Sequence, residues 1–295
     1  MKKVLFLYSF LVACNFFSCK DNSGNNVYIN ESQLDTIKKT YYLNRKTIDS
    51  LWLENIKENA LADISCRFEG KELDYIFYPR ENSLHFSYIK VGNFFDNQNF
   101  YAIIYTKAIG IIVVDLYKLT KNNSFEQKIS SESFSELVQP MDTIFDANGD
   151  GEKDFLINFY PASGCCMRDV YIVYLSPNKK EGKITNSLEF MNPTFFPEEQ
   201  VIRGVDYGHP GEVGLYTYRW KGEEVDTLEY IYPDYTTRGK TFIKTGKSCY
   251  YPTKEEGIPL KKLPEEYKKI NGLYWFFLYD EKIFDNILKD KQNSK

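Results

Sequence analysis

Histidine is almost missing from this sequence: two residues in 295, His85 and His209. No HExxH pair and no CxxC pair exists, so the usual donor spacings of a zinc site are absent. There is also no GxSxG elbow, no GxxxxGK[ST] loop and no GxGxxG turn. Nucleophile-elbow hydrolases, P-loop enzymes and dinucleotide-binding folds therefore lose their local signatures. His85 sits between Leu84 and Phe86 in a strand-like pattern and His209 lies in a Gly/Pro turn, which reads both as structural. Positive charge is not in excess: 37 basic residues stand against 41 acidic ones. Such a balance gives no electrostatic footprint for nucleic acid or anionic lipid. No apolar run after residue 17 is long enough to cross a bilayer, and no repeat of solenoid period is present.

The N-terminus carries the first positive signal. Met1, Lys2 and Lys3 precede the apolar run Val4 to Phe17, too short for a mature membrane span and suited to a signal peptide. A small residue followed by cysteine at the end of such a run resembles the lipobox of bacterial lipoproteins. Leu11-Val12-Ala13-Cys14 matches well but leaves an h-region of only about nine residues. Phe16-Phe17-Ser18-Cys19 gives a full-length h-region and is followed by the polar stretch Lys20 to Asn26, so Cys19 is the expected lipidation site. The expectation is a signal peptide over 1–18, a tether over 19–30, and a mature chain held to the membrane by its lipid. Removing 1–18 takes Lys2 and Lys3 and no acid, so 37 basic residues become 35 against 41 acidic, a net charge of −6. The resulting location is the bacterial cell envelope, facing the periplasm or the cell surface.

Four cysteines follow: Cys66, Cys165, Cys166 and Cys249. Outside the cytosol an even number fits disulfides. Bridging the adjacent pair Cys165 and Cys166 would force a strained ring, so each would seek Cys66 or Cys249. Buried free thiols fit equally well.

Along the chain, residues 31–83 form an N-terminal segment with one helix, its apolar positions Ile48, Leu51, Trp52 and Ile56 at helical spacing behind Thr47 as cap. From 84 to 246 the pattern becomes short runs rich in Tyr, Phe, Ile and Val between Gly, Asn, Asp and Pro. Phe100 to Thr106 and Ile111 to Leu116 flank a hairpin-length connection, Val170 to Leu175 is a further strand, and Tyr216, Tyr218 and Trp220 alternate onto one face. These features predict a mainly β fold, an antiparallel sandwich or a partly closed barrel, with short N- and C-terminal helices. Residues 247–263 read as a loop within a C-terminal segment 247–295. Pro264 opens a helix that Asn271-Gly272 stops, and Ile283, Phe284, Ile287 and Leu288 mark another.

One motif carries specific chemistry. Asp146-Ala-Asn148-Gly-Asp150-Gly-Glu152-Lys-Asp154 places oxygen side chains at positions 1, 3, 5 and 9 of a loop with glycine at 6. Alternate residues of a tight loop turn inward, so three carboxylates and an amide converge on a Ca²⁺ ion while Glu152 supplies its backbone carbonyl at position 7. Position 12 is Ile157, not the bidentate glutamate of an EF-hand, and the following run Phe155 to Tyr160 reads as a strand. A structural calcium ion of weak affinity, roughly 10⁻⁴ to 10⁻³ M, is the expectation.

Residues 141–232 resemble the C-terminal β domain of a family of calcium-loop envelope lipoproteins, best known for an immunity protein that inhibits lysozyme-like effectors of secretion systems. The matching elements are DANGDGEKDFLI, a small-residue loop with Ser163-Gly164, the aromatic strand DVYIVYL, and YTYRW before a glycine turn. The resemblance implies that the loop Pro161 to Arg168 enters a partner's cleft, with Ser163, Gly164, Met167 and Arg168 as contact residues. A non-catalytic binding module directed at a cell-wall hydrolase is thus the leading function. Aromatics make up 17% of the chain, with 24 tyrosines, so a surface glycan-binding lipoprotein is the alternative. An envelope hydrolase working through two carboxylates comes third.

Overall fold

The structure is a computed structural model that describes residues 51–278, apart from 81–83, 109, 121–123, 132, 133, 136, 163 and 165. The signal peptide, Cys14, Cys19, the tether, and the helix expected around Ile283 to Leu288 lie outside the described residues. The chain divides after Glu54, and the architecture below belongs to the unit that begins at Asn55.

The protein is mainly β, with sheets packed face to face. Helix α1 (51–67) continues past Ile56, the last apolar position the spacing marks. Ile56, Ala60 and Ile64 recur every four residues and are buried, so one stripe of α1 faces a sheet. Leu51 and Trp52, which the spacing offered as part of that stripe, are largely exposed.

Three antiparallel meanders follow. The first sheet joins β1 (Leu73–Phe77), β2 (Phe86–Gly92), β3 (Tyr101–Ala108), β4 (Ile111–Leu119) and β5 (Phe125–Ser130) in sequence order, with β6 (Phe134–Ser135) on β4. The second sheet holds β7 (Met141–Phe145), β8 (Asp154–Phe159), β9 (Val170–Tyr174) and β10 (Leu188–Met191). The third runs β11 (Pro193–Phe196), β12 (Val201–Val205), β13 (Leu215–Lys221), β14 (Glu224–Pro233), β15 (Phe242–Thr245) and β16 (Ile258–Leu260). Among the described residues none of the sheets closes into a barrel.

The middle sheet explains the apolar runs FLINF and VYIVY. Phe155, Ile157, Ile172 and Tyr174 pack with Tyr101, Ile103 and Leu116 of the first sheet. Their neighbours Leu156 and Val173, pointing the other way, pack with Ile202, Tyr216, Trp220 and Tyr230 of the third. Strands covered on both faces have no polar side, so alternation disappears from their sequence. The outer face of the first sheet is covered by Ala60 and Ile64 of α1. That of the third is covered by Leu263, Tyr267, Ile270 and Phe276. Polar links cross the layers as well. Lys57 of α1 meets the fully buried Asp115 of β4 at 3.0 Å, and Gln127 also donates to Asp115. Lys90 and Tyr105 of the first sheet both donate to Asp142 of β7 at 2.6 Å. Each buried carboxylate is therefore met by donors, as a charge in a low-dielectric layer requires.

Three boundaries differ from the sequence reading. The β region starts at Leu73, because β1 pairs along its whole length with β2. The supposed loop 247–263 contains β16, an edge strand whose Pro259 needs no ladder donor. The helix expected after Pro264 is a short 3-10 turn, Glu265–Lys269, and Gly272, at φ 71°, starts helix α2 (Leu273–Phe277). Tyr267 fixes the tight turn: its hydroxyl is buried against Thr217 at 2.6 Å and Glu229 at 3.0 Å.

Candidate metal loop and the opposite loop end

The motif Asp146 to Asp154 forms the connection between β7 and β8. Asp146 accepts from the amides of Gly149 at 2.6 Å, Asp150 at 3.2 Å and Gly151 at 2.8 Å. Asn148 accepts from the Asp150 amide, and Asp150 from the Glu152 amide. Gly149 (φ 76°) comes so close to the turn after β11 that a Cβ would lie 2.1 Å from the Pro197 carbonyl oxygen. Glycine is obligatory there. The Glu152 carboxylate turns outward to Asn178 (3.0 Å) and Lys179 (2.7 Å), which is compatible with a backbone role at position 7.

Asp154 is the anchor. It is completely buried, and its two oxygens accept from the amides of Ala147 at 2.8 Å and Ser176 at 2.9 Å. Burial pushes its carboxyl up to about 6; those two amides pull it back, and the charges of Asp150 and Asp146 add to the rise. Trp220 donates from Nε1 to the Ala147 carbonyl at 3.1 Å, and Gln200 from Nε2 to the Gly149 carbonyl at 3.3 Å. The loop is thus fixed by the second and third sheets together.

Among the described residues no group of three or more His, Cys, Asp or Glu side chains stands in metal-holding geometry. The carboxylates of Asp146 and Asp150 are bound to loop amides, and that of Asp154 to the amides of Ala147 and Ser176. The donor set nonetheless suits a hard cation. Asp146, Asn148, Asp150 and Asp154 offer oxygen ligands, and the negative charges of Asp150 and Asp146 add to the rise that burial causes in Asp154.

Strand β8 runs away from this loop, so residues 160–169 stand at the other end of the second sheet. Asn192 holds this segment, accepting from the Asp169 amide at 2.8 Å and donating to the Met167 carbonyl at 3.1 Å. Of the expected contact residues, Gly164 is exposed at φ 133°, and Arg168 lies over the Tyr207 ring at 5.3 Å. Ser163 lies outside the described residues. Met167 is half-buried in the cluster under the third sheet, against Gly272, where a Cβ would meet its methyl group. It is a packing residue.

Sequence reading missed the aromatics around this loop. Tyr160, Tyr207 and Tyr274 are 57%, 45% and 62% exposed. Tyr160 donates to the Cys166 carbonyl at 3.4 Å, and Trp275, next to Tyr274, donates to the Gly208 carbonyl at 2.9 Å. The thiols of Cys66 (exposed) and Cys249 (half-buried) are free, and Cys166 is buried. Cys166 Sγ lies 3.9 Å from His209 Nδ1. Cys165 lies outside the described residues. No helix among the described residues is long and apolar enough to cross a membrane.

Comparison of the chain with models of known protein families, with curated proteins and with solved structures gives no match.

Proposed function

We propose that this chain is a lipid-anchored protein of the bacterial cell envelope whose calcium-stabilised β domain is a non-catalytic binding module, directed at a hydrolase-like protein. The observation that carries the reading is the surface around residues 160–168. Exposed Tyr160 belongs to a segment fixed by Asn192, and exposed Tyr207 lies under Arg168 of the same segment. Exposed Tyr274 adjoins Trp275, whose indole is bound to the Gly208 carbonyl next to Tyr207. Tyrosine and arginine on a rigid support are the side chains that dominate protein interfaces, because they bury much area at little entropic cost. The calcium part rests on the donor set of Asp146, Asn148, Asp150 and Asp154 with the Glu152 carbonyl. The anchor part rests on Cys19 and the segment before it. Resemblance to the immunity lipoproteins supplies the class of partner.

The test is capture from envelope extracts by the full-length chain, followed by an activity assay on what is captured. Recovery of a muramidase that the chain inhibits supports the proposal. Capture of no cell-wall hydrolase contradicts it.

The same exposed ring faces favour a second reading, a surface glycan-binding lipoprotein, since tyrosine rings stack on the apolar faces of sugars. Retention on polysaccharide resin without a protein partner would select it.

A further inference from the structure

Strand β1 stands at the end of the first sheet, and among the described residues no strand pairs with its outer edge. An open edge presents unpaired N–H and C=O groups to any second strand, and proteins usually blunt it with a lysine, a proline or a bulge. Leu73–Phe77 has none of these: it contains neither residue type, and its register on β2 runs unbroken from Leu73↔Val91 to Phe77↔Ser87. Its side chains alternate with the pleat. Leu73, Tyr75 and Phe77 are half-buried against the cluster that contains Ala60 and Ile64 of α1, while Asp74 and Ile76 stand on the opposite face. On that opposite face Lys90 and Tyr105 reach Asp142 of β7, the edge strand of the second sheet. β1 lies one strand beyond β2, and there Ile76 and the following Tyr78 are 51% and 52% exposed. The end of the sheet thus combines an open backbone edge with an uncovered apolar pair.

The order of the exposed residues decides what completes this edge. Glu72, Asp74, Ile76, Tyr78 and Arg80 are all exposed and alternate with half-buried neighbours. The stripe is acidic at its start, apolar in its middle and basic at its end. Reversed, such a stripe complements itself. Antiparallel strands related by a two-fold axis at Ile76 set Ile76 against Ile76, Asp74 against Tyr78, and Glu72 against Arg80 of the second copy. Antiparallel pairing also keeps facing residues on one side of the sheet, so Leu73, Tyr75 and Phe77 of both copies share the other face. A parallel arrangement would set Glu72 beside Glu72 and Arg80 beside Arg80, like charges that oppose pairing. We propose that β1 is the interface of a homodimer, in which two copies join edge to edge and their first sheets become one continuous sheet across the axis. Backbone hydrogen bonds hold the pair, and the contacts of Glu72 with Arg80, one on each side of the axis, set the register. This dimer is independent of the calcium and partner-capture readings above.

Sedimentation equilibrium of the full-length chain in density-matched detergent, from micromolar to submillimolar concentration, tests this. A reversible monomer–dimer equilibrium is expected. Ile76→Lys, which brings two lysines together on the axis, should leave a monomer with the circular dichroism of wild type. Glu72→Arg and Arg80→Glu should each raise the dimer dissociation constant at least tenfold, since each sets like charges opposite one another. The double variant Glu72→Arg/Arg80→Glu should return it to within about threefold of wild type, a rescue that two merely destabilising substitutions would not give. A wild-type chain that stays monomeric at every concentration overturns the proposal and leaves the edge to a different strand. A dimer indifferent to Ile76→Lys, or a charge-swapped variant no better than the single ones, overturns it by placing the contact elsewhere.

Discussion

Trp220 Nε1 donates to the carbonyl oxygen of Ala147 at 3.1 Å, tying the third sheet to the second residue of the metal loop. Both residues are buried, so the carbonyl has no water to replace the indole. A Trp220→Phe substitution keeps an aromatic ring and removes the donor. It should lower stability by about 1 to 3 kcal/mol, the cost of leaving a buried acceptor unmet. Urea unfolding at fixed pH measures this, and an unchanged midpoint would show that the bond contributes nothing.

Asp154 gives a pH prediction whose sign follows from its raised carboxyl. The unfolded group titrates near 3.8 and the folded one at about 6, so the metal-free fold binds the extra proton between those values. Stability attributable to this group is complete below about 4 and is lost as pH rises through about 6, by up to roughly 3 kcal/mol. Asp154→Asn does not titrate. In chelator the stability difference between wild type and variant should therefore shift against wild type from pH 4 to 7. Calcium should abolish the shift, and a difference that stays constant with pH would contradict the assignment.

At the other end of the sheet, Met167 and Arg168 should separate packing from recognition. Arg168→Glu combined with Tyr274→Ala should leave the melting temperature within a few degrees of wild type and abolish partner capture. Met167→Lys places a charge in the cluster beneath the third sheet and should destabilise by about 1 to 3 kcal/mol. Retained capture by the first variant would move the interface elsewhere.

Lipidation makes a cleaner demand. Cys19→Ala should block acyl labelling and leave an unprocessed precursor, whereas Cys14→Ala should do neither. Loss of labelling in the Cys14 variant alone would reassign the anchor.

The elements readable from sequence are those with strong local signals. β8 and β9 announce themselves as continuous apolar runs, and the metal loop by its ligand spacing. β16 is hidden because three residues including Pro259 carry no β pattern, and its pairing with β15 supplies what propensity does not. The turn at Glu265–Lys269 has the ends of a helix but is governed by the distant contacts of Tyr267 with Thr217 and Glu229. Tyr160 and Tyr207 come from two separate connections and Tyr274 from helix α2, so no stretch of sequence marks them together. The left-handed conformations of Ser176 and Gln200 are equally silent, since neither position carries the glycine that would betray them.

Calcium-dependent melting tests the central claim most directly. Three carboxylates held in one loop repel until a cation joins them, and a ligand that binds only the folded state stabilises it by about 2.7 kcal/mol at a hundredfold excess over Kd. The full-length chain should melt several degrees higher in 10 mM calcium than in chelator, and Asp150→Ala should erase that difference while melting like the metal-free wild type. Equal melting of the wild-type chain in calcium and in chelator would contradict the account.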